Sequence, residues 1–463
     1  MRKNQRENKG SITIFAILSL MLVTGCVLML LEGSRMYELH RLAGWRSQVA
    51  LESAFGNYSS KLWEQYRLLA CEKDAMEEIM TRSSKGAYSS LEYGDNLLLL
   101  RLKTAELESY TLLTDGEGQA YLQAVAAYME RNILYETIKQ IYNQYESIKA
   151  LLQENMTDGT EIEKALEALE NSGQSARRGR KDTDMLKTMD RMKKTQLLEL
   201  VVEDTSILSE VEYNREGFVS QRERKTGVDP EYEAPDWMDR GMLQQYFLTY
   251  FSDYIHPVVD RGFFYELEYL IGGQDNDVDN MRAVVDELLL IREAANLAYL
   301  LMDTEKMEAV RVLALGIAGV SANPVVIALV ESALLASWAF AESILDVRAL
   351  LVGKQIPFIK SRDTWTMSLE NIDEVDKGWW VAKESPYGLG YKGYLGVLLL
   401  FHDNSELAYR AMDIQELALQ ENGLTYRMDE LVVHAQASFT YKAKPVFYQV
   451  DYKITKKVAF GYR

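Results

Sequence analysis

Residues 10–31 read GSITIFAILSLMLVTGCVLMLL, a run of 22 positions without a charged side chain. As a helix this stretch measures about 33 Å, against about 30 Å for the hydrocarbon layer of a bilayer. Arg2, Lys3, Arg6 and Lys9 precede it, opposed only by Glu7. The nine-residue head is therefore +3 (four cations, one acid), which leaves −21 of the chain's net −18 for everything after it. Basic residues on one flank predict a cytoplasmic N-terminus; Arg35, Arg41 and Arg46 soften the bias from the other side. The expected organisation is a cytoplasmic head (1–9), a transmembrane anchor (10–31) and an extracytoplasmic body. That makes a single-pass protein of the cell membrane, with the lipid bilayer as its first partner.

Three fates of the apolar stretch stay open. One is an uncleaved signal anchor. The second is a lipoprotein signal, since Val23-Thr24-Gly25-Cys26 fits the small-residue pattern before a lipidated cysteine, although Val27–Leu31 stays apolar beyond it. The third is prepilin-type processing after Lys9-Gly10, where a basic head, a glycine and an apolar helix suit the peptidase. Pilins usually carry a glutamate five residues after that cut, and Phe15 stands there. Gly10 and Cys26 are thus the candidate processing residues.

Working outward, the remainder has ordinary globular composition: 463 residues, 48% hydrophobic and 26% charged. That rules out wholesale disorder and is enough for more than one core. The acidic balance argues against nucleic acid, which requires clustered Lys and Arg. Two cysteines exclude a disulfide framework and a Cys-rich zinc module.

The helical pattern runs on past the apolar stretch, with Leu39, Leu42, Trp45 and Val49 at helical spacing. Asp95–Leu113 reads as a second apolar helix. Leu134, Ile138, Ile141, Tyr145, Ile148 and Leu152 form a seam with the heptad step, packed in its own bundle or in a short coiled coil. Residues 171–184 (NSGQSARRGRKDTD) have no aliphatic side chain larger than alanine and read as an exposed loop carrying Arg177, Arg178, Arg180 and Lys181. Met185–Val211 resumes a helix. The polar stretch Gly217–Pro235 then divides a helical arm (32–215) from a helical core domain (236–463).

In that second part Tyr246, Phe247, Tyr250, Phe251 and Tyr254 read as core. GGQDNDVDNMRAVVDE places Asp275, Asp277, Asp279 and Asp286 at positions 1, 3, 5 and 12 of a calcium loop. Its sixth position is Asn280 in place of Gly and its twelfth is Asp in place of Glu. The competing reading is a helix N-terminus before Met281, where acids cap free N–H groups and suit the dipole. No resident metal or cofactor is expected. Val312–Val330 is 19 residues without charge, interrupted by Asn323-Pro324, an N-cap and first position of a new helix. Glu331, Glu342 and Asp346 lie within about 60° of one another on its wheel. That predicts a buried central helix with one acidic edge, weighed against a second membrane insertion.

The period then changes. Trp365, Met367 and Leu369 alternate with polar residues, and so do Val433, Ala435, Ala437, Phe439 and Tyr441. After Lys444-Pro445 the alternation restarts with Val446, Tyr448, Val450, Tyr452 and Ile454. Period two predicts a β-hairpin over 431–455 whose apolar face needs a third strand or a helix to cover it. Tyr391–Leu419 reads as one or two helices. The fold class expected is mainly α with a small antiparallel β-sheet (α+β), on a transmembrane helix that continues into a helical body.

Three stretches resemble a family of uncharacterised Gram-positive membrane proteins, classed as a domain of unknown function. They are YELEYLIGGQDNDVDNMRAVVDELLLIREAANLAYLL (265–301), LLASWAFAESILDVRALLVGKQIPFIK (334–360) and YKGYLGVLLLFHDNSELAYRAMDIQELAL (391–419). Lys9–Leu31 also resembles the start of TadE-like pseudopilins from tight-adherence (Tad) pilus systems. The resemblances imply an envelope location beside a pilus or secretion apparatus, and carry no catalytic residues. Glu266, Glu268, Glu342, Asp346 and Asp413 fall in the matching stretches and are expected to be structural pairs or caps.

The sequence holds no Gly-x-Ser-x-Gly, His-Glu-x-x-His, Cys-x-x-Cys or phosphate loop. The function expected is a membrane-anchored extracytoplasmic structural or assembly component of a cell-surface apparatus of the Tad pilus or secretion type. Its partners would be other envelope or pilus-assembly proteins. An alternative is an envelope binding or sensing module, single-pass or lipoprotein, with a pocket lined by Trp379, Trp380 and Tyr387. An envelope hydrolase is a third, and would need two buried acids facing one cleft.

Overall fold

The computed structural model describes residues 7–86, 100–132, 150, 153, 160–171, 180–232, 240–259, 261–319, 323–421, 423–443 and 451–462. Helices dominate, joined by one small antiparallel sheet, as the composition and periodicities predict. The chain divides into two compact units, both discontinuous in sequence. The first is Met1–Ala124, Lys225–Glu233 and Tyr426–Arg463; the second is Val125–Arg224 and Ala234–Thr425.

The first unit begins with α1 (Glu7–Phe55), one helix of 49 residues. The short α2 (Ser60–Tyr66) is capped by Ser59 and ended by Arg67 in the left-handed region. The chain enters the sheet as β1 (Cys71–Glu72), leaves it in α3 (Lys73–Gly86) and returns as β2 (Leu100–Leu112). Helix α4 (Gln119–Asn132) carries the chain into the second unit. The C-terminal part supplies β3 (Leu431–Ala443) and β4 (Tyr452–Gly461).

Strand β3 is the centre. β2 pairs along its whole length on one side, from Leu100↔Ala443 to Leu112↔Val432. β4 (Ala443↔Tyr452 to His434↔Gly461) and β1 (Cys71↔Val432) share the other side end to end. The period-two reading of β3 holds: Ala435, Ala437, Phe439 and Tyr441 are fully buried, and the polar residues between them are not. The hairpin's second strand starts at Tyr452; Val446, Tyr448 and Val450 lie outside the described residues. The third strand it requires is β2, which corrects the helix expected over Asp95–Leu113. That stretch is rich in helix formers, but register shifts between Leu102 and Thr104 and between Leu107 and Ser109 break its alternation, and pairing with β3 overrides propensity.

The second unit is helical: α5 (Glu161–Asn171), α6 (Arg180–Lys193), α7 (Leu197–Val201), α8 (Arg240–Tyr250), α9 (Glu266–Gly272), α10 (Asp277–Met302), α11 (Thr304–Ala318), α12 (Pro324–Leu351), α13 (Tyr391–Leu399) and α14 (Asn404–Glu421). The helix expected over Met185–Val211 is thus broken at 194–196 and stops at Val201, with only the short turn Thr205–Ile207 beyond it. Tyr391–Leu419 gives two helices, as predicted. The heptad seam at 134–152 lies outside the described residues, as do 172–179 of the basic loop expected over 171–184; its described part is helical, Asn171 ending α5 and Arg180 and Lys181 opening α6.

Helix α12 is the axis of this unit, with α5, α10 and α11 against it. Asn323 caps it, its side chain accepting from Val325 N–H at 3.0 Å, and Pro324 takes the first turn. Every residue from Ala333 to Leu350 is buried. Trp365, Met367 and Leu369 are buried too, yet they form no strand. The N–H groups of Thr366 and Met367 go to the Glu342 carboxylate (3.0 and 2.6 Å) in place of a ladder, and both the Trp338 and Trp365 indoles donate to Met367 O.

Candidate functional site: an apolar helix built into a sheet

Helix α1 has two halves of opposite character. From Ile12 to Leu31 its large apolar side chains stand bare, Phe15 at 73% and Leu30 at 74% exposure. From Leu39 onward the same helix is core. Leu39, Ala43, Ser47, Ala50, Leu51, Ala54 and Phe55 are fully buried, packed with Met76 and Met80 of α3 on Phe439, Tyr441 and Ile454 of the sheet. The expected stripe of Leu39, Leu42, Trp45 and Val49 is corrected here. Trp45 is 61% exposed, because the small side chains of Ala43, Ser47, Ala50 and Ala54 form the face that lets the sheet approach.

Directional contacts fix this packing. Ser47 Oγ donates to Ala43 O (2.8 Å) and lies 3.1 Å from Tyr441 Oη. At the end of the helix Tyr462 Oη donates to Phe55 O at 2.5 Å and sits 2.7 Å from Cys71 Sγ. Burial pushes the Cys71 thiol up to about 11, so it stays protonated and inert. Just past the apolar run, Glu32 accepts from Arg35 Nη1 at 2.8 Å, each side chain only 5% exposed.

Among the described residues two helices are long and apolar enough to cross a membrane. The apolar window of α1 is wholly exposed within the unit; that of α12 is more than half buried. The N-terminal apolar helix is therefore a membrane anchor or a signal sequence by length, composition and exposure. Cys26 is exposed on it, and Gly10 lies in its first turns.

The carboxylates of the second unit are buried in pairs. Glu342 and Asp346, one turn apart on α12, both meet the Lys360 ammonium, Asp346 at 2.6 Å. Asp346 Oδ2 also accepts from Arg292 Nη2 (2.9 Å), Arg292 Nε (3.0 Å) and Asn296 Nδ2 (3.0 Å). Arg292 Nη1 donates to Phe358 O (2.6 Å) and to Tyr394 Oη (3.0 Å). Two cations and two anions cancel with all four side chains fully buried. Burial would raise Asp346, but Lys360 and Arg292 hold it below the usual carboxylate range; burial pushes Glu342 up. The acidic edge predicted for α12 is thus turned inward at Glu342 and Asp346, both fully buried, while Glu331 is half-buried. Sequence reasoning passed over Lys360, which carries no local signal. Arg292 had one, a lone cation in the largely apolar run LLLIREAANLAYLL (288–301).

Glu266 and Glu268 lie apart from this group. Glu266 Oε2 accepts from Ser252 N–H at 2.7 Å; Glu268 Oε1 accepts from Tyr254 N–H (2.9 Å) and from Tyr391 Oη (2.7 Å). Asp413 accepts from Ser220 N–H (3.0 Å) and Tyr269 Oη (2.9 Å). Burial pushes Glu268 up to about 7 and Asp413 up to about 6. All five carboxylates act as caps or pairs between elements.

The four calcium-loop aspartates go separate ways. Asn276 caps α10, its side chain accepting from Asp279 N–H at 2.8 Å. Asp275 pairs with Arg215, Asp277 accepts from Tyr213 Oη, Asp279 pairs with Arg282, and Asp286 lies on the helix beyond them. Among the described residues no cluster of His, Cys, Asp and Glu could hold a metal ion. Tyr387 is 94% exposed and Trp379 lies under the Arg348 guanidinium at 4.4 Å. A groove of about 800 Å³ exists elsewhere, with Met185, Leu313 and Leu369 as floor and Glu305, Glu308, Glu370 and Asp373 on its rim.

No curated protein and no solved structure matches this chain. One family model does, over residues 175–443, which takes in most of the second unit and runs to the end of β3 while leaving out α1. More than half of the sequence is covered, so the chain belongs to the family of unknown function DUF5702.

Proposed function

We propose that this protein is a membrane-anchored structural or assembly component of a cell-surface apparatus, with its N-terminus in the cytoplasm and its body outside, in the manner of a pseudopilin. The observation that carries the reading is α1. A single unbroken helix is bare and apolar over its first half and forms the core of a four-stranded antiparallel sheet over its second. Such a helix transmits position. Whatever holds the apolar half holds the sheet, with no hinge between Leu31 and Leu39. Gly25 and Gly33 have open space around them, so a second helix can approach α1 closely. The basic head supports the cytoplasmic N-terminus. The resemblance of Lys9–Leu31 to TadE-like pseudopilins supports a Tad-type setting. Other envelope or pilus-assembly proteins are the partners this reading requires.

Oxidative cross-linking in native membranes tests it. Cys26 is exposed on the apolar half, so an assembling protein yields a Cys26-linked pair, with itself or with another membrane protein, that Cys26→Ser abolishes. A protein that stays monomeric under oxidant and leaves the membrane in alkaline carbonate is not such a component. N-terminal analysis of the same material separates an intact Met1 from a Ser11 terminus or a lipidated Cys26.

A second reading, an envelope binding module, is favoured by the acid-rimmed groove of about 800 Å³ along α11.

A further inference from the structure

We infer that the end of the sheet nearest the apolar half of α1 is a docking surface for anionic lipid headgroups, built on Arg101, Lys442 and Lys453. The inference rests on the reading of α1 as a membrane anchor.

The register sets the three cations side by side. Arg101 of β2 is the partner of Lys442 of β3, and Lys442 is the partner of Lys453 of β4. Directly opposed residues stand about 5 Å apart at Cβ, and like charges so placed repel. The neighbours of Lys442 in β3, Tyr441 and Ala443, are buried toward α1, so the basic row faces away from the helix. Lys103 adds a fourth cation at the register shift. The next row of the sheet is neutral: Thr104, Thr440 and Thr455. Asp451 pairs with Lys442, but Arg101, Lys103 and Lys453 meet no carboxylate among the described residues. In a chain of net charge −18 this patch is out of keeping with its surroundings.

Its height follows from the packing. Ser47 of α1 touches Tyr441, while Phe55 O lies 3.3 Å from Sγ of Cys71, which pairs with Val432. Helix α1 therefore runs antiparallel to β3, and its apolar half extends past the Ala443 end of the sheet. The 16 residues from Ser47 back to Leu31 measure about 24 Å of helix. The basic row is one strand residue nearer the membrane, which leaves about 20 Å. A headgroup layer of about 6 Å and the reach of extended Lys and Arg side chains bring the charges within about one Debye length, 8 Å, of the phosphates. A phosphate bridging the row relieves the repulsion that the register builds in. The apolar half thus fixes the depth of the protein, and the row holds the sheet down on the surface.

The test uses the full chain in vesicles of phosphatidylcholine, with trace spin-labelled phosphatidylglycerol or phosphatidylcholine reporting the lipids at the protein surface. Flotation with the vesicles comes first; a chain that does not float sinks the anchor reading, and this inference with it. In a chain that floats, phosphatidylglycerol is expected to be preferred by about fivefold, the worth of one basic side chain at an anionic surface. The preference should fall to near unity in 0.5 M salt and in R101Q/K442Q/K453Q, but survive R2Q/K3Q in the head. Equal association of the two lipids in the wild-type chain, or a preference that the triple variant keeps, overturns the inference. So does a preference that soluble polyglycerol phosphate removes at equal phosphate concentration, since the surface then suits a wall polymer better than the bilayer. An unchanged or raised melting temperature of the triple variant in phosphatidylcholine shows that its sheet is intact.

Discussion

Tyr462 donates its hydroxyl to the Phe55 carbonyl at 2.5 Å, tying the last turn of α1 to the residue just beyond β4. The two lie 407 positions apart, so the contact closes the first unit end to end. Removing the hydroxyl leaves a helix-terminal carbonyl without that donor and takes away a polar neighbour of the Cys71 thiol. Tyr462→Phe is expected to destabilise the first unit by about 1–2 kcal/mol. Maleimide labelling checks it: buried Cys71 does not react in the folded wild type, and the variant should expose it faster.

Among the described residues Lys360 is the only cation that reaches both Glu342 and Asp346. Lys360→Met would leave Glu342 unpaired in a fully buried place, at an expected cost of about 3–5 kcal/mol. Adding Glu342→Gln removes the orphaned charge and should recover part of the loss: its amide oxygen still accepts from the Met367 N–H, while its NH2 group meets the Thr366 N–H. Denaturant unfolding followed by tryptophan fluorescence reads both variants, because Trp338 and Trp365 pack beside the network. Equal costs for the single and double variants would refute the pairing.

Glu268 gives the second unit a pH dependence with a definite sign. Its folded value is about 7 against an ordinary 4.5, so between those limits the folded state holds a proton that the unfolded state has lost. Stability is then fully present below about pH 4.5 and falls as pH rises through about 7, by up to about 3 kcal/mol. Asp413, raised to about 6, adds a smaller loss over a lower window. Unfolding midpoints from pH 5 to 8 should decline in the wild type and flatten in Glu268→Gln, which keeps the acceptor for Tyr391 and loses the titration.

Much of this architecture was legible in the residues, and the failures have physical causes. The alternation at Val433–Tyr441 gave β3 directly, because one face of a covered sheet must be apolar at every second position. Asn323-Pro324 gave the start of α12 from capping chemistry alone. Strand β2 was misread because Leu, Lys, Glu and Ala favour helices, and only β3, more than 300 residues away, decides otherwise. Trp365, Met367 and Leu369 alternate like a strand because α12 buries every second side chain, while a carboxylate takes the backbone N–H groups. The roles of Glu342 and Asp346 were half visible: burial followed from the helix wheel, but Lys360 and Arg292 arrive from segments that only the fold brings together.

The apolar half of α1 makes the strongest demand on the protein's environment. Phe15, Leu18, Leu22 and Leu30 are each exposed by 60% or more, and nothing among the described residues of the first unit covers them. In water that surface would drive aggregation; in a bilayer it is at rest. A charged side chain at the middle of a spanning helix costs about 3 kcal/mol, and two in adjacent turns about twice that. Leu18→Lys with Leu22→Lys is therefore expected to move the chain from the membrane fraction to the soluble or aggregated fraction. Trp45→Lys, on the exposed face beyond the apolar run, should leave the distribution unchanged. The sheet packs on Leu39 and later residues, so the displaced variant should keep its β-sheet and its unreactive Cys71. Unchanged membrane retention of the double lysine variant would mean that something other than α1 holds this protein to the bilayer.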